Sequence, residues 1–125
     1  MNTRQPALDL TVVESLRELQ TPGGPDLFEQ LTVAFLEDAQ ARLTDLRQAV
    51  AGNDRTQAQR AAHSLRGMCG AIGATEMAAL SDELERTAVA ASVDARLAAG
   101  LEREFSCVAT ALRALLRTSG NAPPA

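Results

Sequence analysis

Apolar residues recur along most of this 125-residue chain at the three- to four-residue spacing of an amphipathic α-helix. The longest such run extends from Pro25 to about Ala51, and we predict one long helix there with a charged outer face. Its apolar positions are Phe28, Leu31, Phe35, Ala39, Leu43, Leu46 and Val50. No stretch carries the signals of a β-strand. The pattern therefore predicts an all-α protein.

Capping and helix-breaking residues divide the remaining pattern into one short helix and three longer ones. Side chains of Ser, Thr and Asp favour the first position of a helix, whereas Gly favours the position just after its end. The predicted N-terminal signals are Thr11 with Glu14, Pro25, Asp54 with Gln57, Thr75 and Ser92, and the predicted ends are TPGGP at 21–25, Gly52 and Gly73.

Four long helices with short connections favour an antiparallel up-down-up-down four-helix bundle. We expect the short additional N-terminal helix to pack at one end of it. The domain is predicted to span residues 8–118, and residues 1–7 and 119–125 are predicted to be flexible tails.

Composition narrows the class of protein further. The chain has no Trp or Tyr and only three Phe, so its core must be aliphatic. A net charge of −4 argues against non-specific nucleic-acid binding, and no apolar run reaches the roughly 18 residues of a membrane span. The N-terminus lacks a signal-peptide pattern, and Cys69 and Cys107 fall in apolar patterns that favour buried free thiols over a disulfide. We expect a cytoplasmic monomer that binds neither nucleic acid nor membrane.

The only histidine, His63, lies in the stretch AAHSLRGMCGAIGA at 61–74. Successive residues of a helix are rotated by about 100°, which places Leu65, Met68 and Ile72 more than about 95° away from His63. The apolar stripe of this helix therefore points away from the imidazole. We predict that His63 is exposed near the middle of a helix.

Small residues surround His63 on the same predicted face. Gly67 and Gly70 together cost the helix roughly 1–2 kcal/mol relative to alanine, and a merely solvated face gains nothing from that cost. A lone surface histidine is usually only a surface residue, and helical glycines can serve helix packing. The shared exposed face instead favours close approach of a partner, with Arg66 offering a fixed positive charge for an oxygen-rich anion. The candidate docking residues within about 60° of His63 are Gln59, Gly67, Gly70 and Ala74.

The stretch at 61–74 resembles the signature of histidine phosphotransfer (HPt) domains, which runs His, any residue, Leu, Lys, Gly, several small residues, an aliphatic residue and Gly-Ala. Here the signature reads His63, Leu65, Arg66, Gly67, Ile72, Gly73 and Ala74. LFEQLTVAFLEDAQARLTDL at 27–46 is similar to the family's preceding helix, and LSDELE at 80–85 to its next helix. Arg66 replaces the usual Lys in a chain whose basic residues are all Arg, so the charge is kept.

The resemblance implies a phosphocarrier rather than an enzyme. It implies that His63 accepts a phosphoryl group from the phosphoaspartate of one receiver domain and passes it to another receiver. One of these two receivers belongs to a hybrid histidine kinase and the other to a response regulator. Arg66 would then supply charge beside the phosphoryl group, and Gly67 and Gly70 would give access. The resemblance also brings Asp38, in the preceding helix, towards His63. For Asp38 and Gln59 an ordinary solvated role is about equally favoured.

Other function classes receive less support. The chain has no H-E-x-x-H, C-x-x-C, P-loop or glycine-rich ATP loop, so we predict no metal site and no cofactor. One exposed histidine cannot build a metal site. The main alternative is a helical-bundle adaptor that binds a signalling partner without phosphorylation.

Overall fold

The computed structural model describes residues 7–19, 22–24 and 26–120, and all regular secondary structure among them is α-helical. This confirms the all-α bundle. The helices are α1 (Leu10–Glu18), α2 (Leu27–Gly52), α3 (Arg55–Ile72), α4 (Thr75–Ala90) and α5 (Ala95–Gly120).

The four long helices pack in a ring. α3 lies between α2 and α4, and α5 closes the ring by packing on both α4 and α2. Consecutive helices are joined by short connections, which makes neighbours antiparallel. The short α1 packs on α2 and α3, and the backbone N–H of Asp9 donates to the carbonyl of Gly73 at 2.7 Å.

The core is mostly aliphatic, as the composition predicts, and it also contains all three Phe residues. Each of the four long helices contributes fully buried Leu or other aliphatic side chains, and the ring centres of Phe35 in α2 and Phe105 in α5 lie 6.1 Å apart. Phe28 is fully buried, with the Arg17 guanidinium 4.9 Å from its ring centre. Fully buried core leucines include Leu65, Leu84, Leu101 and Leu112.

The boundaries of α3 agree with the sequence prediction. The Asp54 side chain accepts a hydrogen bond from the N–H of Gln57 at 3.0 Å, and Gly73 ends the helix at a φ of 84°. Glycine is favoured there because a positive φ brings a Cβ into steric conflict with the backbone. α2 ends one residue later than predicted, with Asn53 instead of Gly52 in the left-handed conformation.

Three predicted N-caps were wrong. Asp9 caps α1 in place of Thr11, because the carboxylate of Asp9 accepts from the Thr11 N–H. Thr75 lies inside α4, whose N-cap is Ala74 with no side-chain hydrogen bond. The carboxylate of Asp94 accepts from two N–H groups at the start of α5, and this excludes Ser92.

α2 begins at Leu27, two residues later than predicted, because the Asp26 carboxylate caps it by accepting from the Glu29 N–H. α5 extends to Gly120, two residues into the predicted C-terminal tail. Pro25 itself and most of the two predicted tails lie outside the described residues.

Neither cysteine forms a disulfide; Cys69 is buried and Cys107 is half-buried. Burial raises the pKa of the Cys69 thiol to about 12, because a thiolate in the apolar core would lose its hydration. Among the described residues, none of the helices combines the length and the hydropathy that a membrane span requires.

Candidate functional site

His63 stands near the middle of α3, on the side of the helix that faces away from the core. Its side chain is 63% exposed, whereas Leu65 and Ile72 on the same helix are buried. The opposed faces of α3 predicted from the sequence are therefore present in the fold.

One nitrogen of the imidazole is held by α4. The Nδ1 atom of His63 lies 3.0 Å from Oε2 of Glu85, whose side chain is only 18% exposed. A carboxylate can only accept a hydrogen bond, so this contact assigns the proton to Nδ1. In the neutral ring the lone pair then belongs to Nε2, the nitrogen farther from the backbone.

Arg66 contacts His63 and two acids of α4. Its Nη2 atom is 3.4 Å from Nδ1 of His63, farther than Glu85 Oε2 is. When Nδ1 carries the proton, it cannot accept a hydrogen bond from Arg66. Its guanidinium also lies 3.6 Å from Asp82 Oδ1 and 3.6 Å from Glu85 Oε1. Asp82 in turn accepts from Arg86 at 3.2 Å. We call these five residues, His63, Arg66, Asp82, Glu85 and Arg86, the α3–α4 charge cluster.

The two glycines beside His63 have open space around them. Apart from the adjacent residues and the nearby backbone of α3 itself, a Cβ atom added at Gly67 or Gly70 would meet no atom within 4 Å. At Gly73, by contrast, it would lie 3.0 Å from both the Asp9 carbonyl oxygen and the Val12 Cβ. Gly73 therefore serves internal packing, whereas Gly67 and Gly70 leave the helix backbone uncovered beside the imidazole.

The remaining predicted docking residues fall in different places. Gln59 is exposed on α3 one turn before His63. Asp38 is exposed on α2 and borders, with His63 and Gly67, a shallow depression between α2 and α3. Ala74 is fully buried, since α3 ends before it and the chain turns into α4, so we remove Ala74 from the docking surface.

An apolar pocket of about 170 Å³ adjoins that depression. Asp38 and Met68 border both, so the pocket continues the His63 face along the groove between α2 and α3. The other residues around the pocket are Leu31, Ala34, Phe35, Ala71 and Ile72.

Sequence reasoning missed the acidic half of the charge cluster. Asp82 and Glu85 lie three residues apart, a spacing that places both on one face of a helix. That spacing was visible in LSDELE, but it does not say which neighbouring helix the two acids face. Met68 was assigned to the core stripe and is instead half-buried at the groove.

Comparisons with known proteins agree on one family. A sequence profile described as Hpt domain matches residues 30–119. A crystal structure of histidine-containing phosphotransfer protein B (HptB) from Pseudomonas aeruginosa PAO1 matches with a TM-score of 0.80 and 29% sequence identity, covering 88% of this chain and 94% of that one. A search of curated proteins finds no match. The first two findings confirm the resemblance read from residues 61–74.

Proposed function

Because the chain belongs to the Hpt domain family, whose members carry phosphoryl groups in phosphorelays, we propose that its His63 is the phosphorylated residue. The observation that carries this assignment is an exposed imidazole whose Nδ1 is held by Glu85 at 3.0 Å, beside an open stripe of glycine. No other histidine exists in the chain to take this role.

Because the proton of the His63 ring is on Nδ1, Nε2 is the nitrogen that can accept the phosphoryl group. The Nε2 lone pair of His63 attacks the phosphorus of a receiver phosphoaspartate, and a P–N bond forms as the P–O bond to the aspartate breaks. The aspartate carboxylate leaves with the electron pair of that bond. The ring keeps its Nδ1 proton and gains positive charge, which the Glu85 carboxylate stabilises through its hydrogen bond. Phosphoryl transfer depends mainly on in-line positioning and charge stabilisation.

Arg66 supplies the neighbouring positive charge. It is 45% exposed and one helical turn from His63, so its side chain has room to turn towards a phosphoryl group on Nε2. A guanidinium donates in a planar fork that suits phosphate oxygens. Its present ion pairs at 3.6 Å are long, which makes this reorientation inexpensive.

The receiver domain is proposed to dock over Gly67 and Gly70 and along the apolar pocket. The missing side chains let its phosphoaspartate reach His63, and the pocket offers apolar surface next to the reacting atoms. Asp38 borders both the pocket and the depression and is the polar residue at their junction. Gln59 lies at the other end of this face.

We propose two receiver partners, one from a hybrid histidine kinase and one from a response regulator. In that scheme this chain is the carrier between them, and the catalytic groups belong to the receivers. The monomeric state and the cytoplasmic location remain predictions.

The deciding experiment offers the protein a panel of receiver domains that carry labelled phosphate. We expect at least one receiver to label the wild type, and we expect the His63→Gln variant to stay unlabelled while keeping the helical signal of the wild type in circular dichroism. The label should be lost in acid and resist base, as a P–N bond does. Labelled His63→Gln protein would show that another residue is phosphorylated. A wild type that binds receivers and takes no label would favour the adaptor alternative.

A further inference from the structure

Two acids on α4 hold the positive charge that the proposed reaction needs. The Arg66 guanidinium lies 3.6 Å from Asp82 Oδ1 and 3.6 Å from Glu85 Oε1, so before phosphorylation its charge is shared between two carboxylates. The oxygens of a phosphoryl group on His63 would carry roughly −1.5 to −2 charges a short distance away. The group and the two carboxylates would then compete for one cation.

Asp82 differs from Glu85 in one respect that makes it the informative residue. Glu85 contacts the imidazole itself, whereas Asp82 contacts Arg66 and Arg86. Any influence of Asp82 on the phosphoryl group must therefore pass through Arg66 or through space. Because Asp82 is 40% exposed, the part that acts through space is screened by water and salt.

We propose that Asp82 is a positioning residue that sets how strongly this carrier retains a phosphoryl group, by competing with that group for Arg66. This inference rests on the proposed function of His63. Asp82 holds Arg66 against α4 and so disfavours phospho-His63. The phosphoryl group therefore returns more readily to a receiver. Arg86, 3.2 Å from Asp82, takes part of the charge of that carboxylate and moderates the effect.

The expected effect is modest, since the ion pair is exposed. Exposed pairs contribute a fraction of a kcal/mol, which corresponds to about a two- to fivefold change in an equilibrium constant. The competition for Arg66 determines the direction of the change. The Asp82→Asn variant frees Arg66 and so shifts the equilibrium towards phospho-His63.

The test measures the equilibrium ratio of phospho-His63 to phosphorylated receiver, using the receiver that labels the wild type fastest. We expect Asp82→Asn to raise this ratio about two- to fivefold. The matched control is Glu83→Gln, which removes the same charge from the next residue of α4, about 100° around the helix. We expect the control to leave the ratio unchanged. Asp82→Glu keeps the charge and should restore a ratio close to that of the wild type.

The Arg66→Ala background separates a route through Arg66 from a general charge effect. In that background we expect Asp82→Asn to change the ratio by less than half as much as it does with Arg66 present. An unchanged ratio in Asp82→Asn, an equal rise in Glu83→Gln, or an equal rise without Arg66 would each overturn the inference. These results leave the proposed function standing, because the wild type is still labelled on His63. A wild type that takes no label overturns both.

Discussion

At the scale of single residues, the site combines an exposed histidine with a fixed ring. An exposed side chain usually samples several rotamers and both tautomers, but the Glu85 carboxylate is largely buried and accepts from one named nitrogen. The imidazole of His63 is thereby held in one orientation while it stays exposed to solvent. Gly67 and Gly70 complete the arrangement, because the backbone next to the ring carries no side chain.

Gly67 allows a test of close approach that keeps the fold intact. The position is open, so Gly67→Gln introduces no clash, and glutamine is the better helix former by roughly 0.5–1 kcal/mol. We expect thermal denaturation to show a slightly higher melting temperature, while phosphotransfer from a labelled receiver falls severely. An unfolded variant would mean that the glycine serves internal packing. A stable variant with normal transfer would mean that the receiver docks elsewhere.

At the scale of elements, the two ends of α3 explain why this helix is so well defined. Asp54 caps its start, and Gly73 ends it in the left-handed conformation while packing against α1. The N–H of Asp9 bonds the Gly73 carbonyl, so this turn also fixes the beginning of α1. Arg55 adds a further link, since its guanidinium donates to the carbonyls of Ala88 and Val89 at the end of α4.

A pair of matched substitutions in this segment should have opposite effects on stability. Gly73→Ala places a Cβ 3.0 Å from the Asp9 carbonyl at a positive φ, which we expect to lower the free energy of unfolding by roughly 1–3 kcal/mol. Gly67→Ala meets open space and should raise it by about 0.5–1 kcal/mol. Urea denaturation measures both values. Equal effects at the two positions would contradict the distinct roles assigned to them.

Helix ends were predictable where a local signal was strong enough to decide between neighbouring residues. Asp54, which follows Asn53, has Gln57 at capping-box spacing, and Gly73 is a strong C-terminal signal; both predictions were confirmed. Elsewhere several capping residues lie within two or three positions, as with Asp9 and Thr11 or Ser92 and Asp94. The choice then depends on the path of the incoming chain, which is set by tertiary packing rather than by local preference.

At the scale of the whole molecule, the buried Cys69 thiol links global stability to alkaline pH. Its pKa is raised to about 12 in the fold, so between pH 9.0 and about 12 the unfolded chain loses a proton that the folded chain keeps. Stability contributed by this group is present below pH 9.0 and is lost as the pH rises, by up to about 1.4 kcal/mol per pH unit. The chain has no Lys and no Tyr, so few other groups titrate in this range.

We therefore expect the free energy of unfolding, measured in urea between pH 8 and about pH 10.5, to fall above pH 9.0. In Cys69→Ala the cavity lowers stability at every pH, but most of the fall above pH 9.0 should disappear. The control Cys107→Ala should keep the fall. The same slope in Cys69→Ala as in the wild type would show that another group is responsible.

Sequence periodicity does not determine how the helices pack against one another. Helical periodicity orders the residues around one helix, and it placed His63, Gly67 and Gly70 on one exposed face. It carries no information about which face of α4 meets α3, so Glu85 and Asp82 could not be assigned to His63 and Arg66. That pairing depends on how the four helices pack in the ring.

The openness of the His63 face has a consequence for signalling fidelity. A phosphoryl group carried there would sit on a helix surface rather than in a closed cleft, in reach of bulk water and of every receiver that diffuses past. Such a carrier would not prevent transfer to other pathways by burying its phosphoryl group. Insulation then depends on encounter rates, because the correct receiver has to collect the group before hydrolysis or a competitor removes it. The relative abundance of the receivers would then help to determine which receiver is phosphorylated.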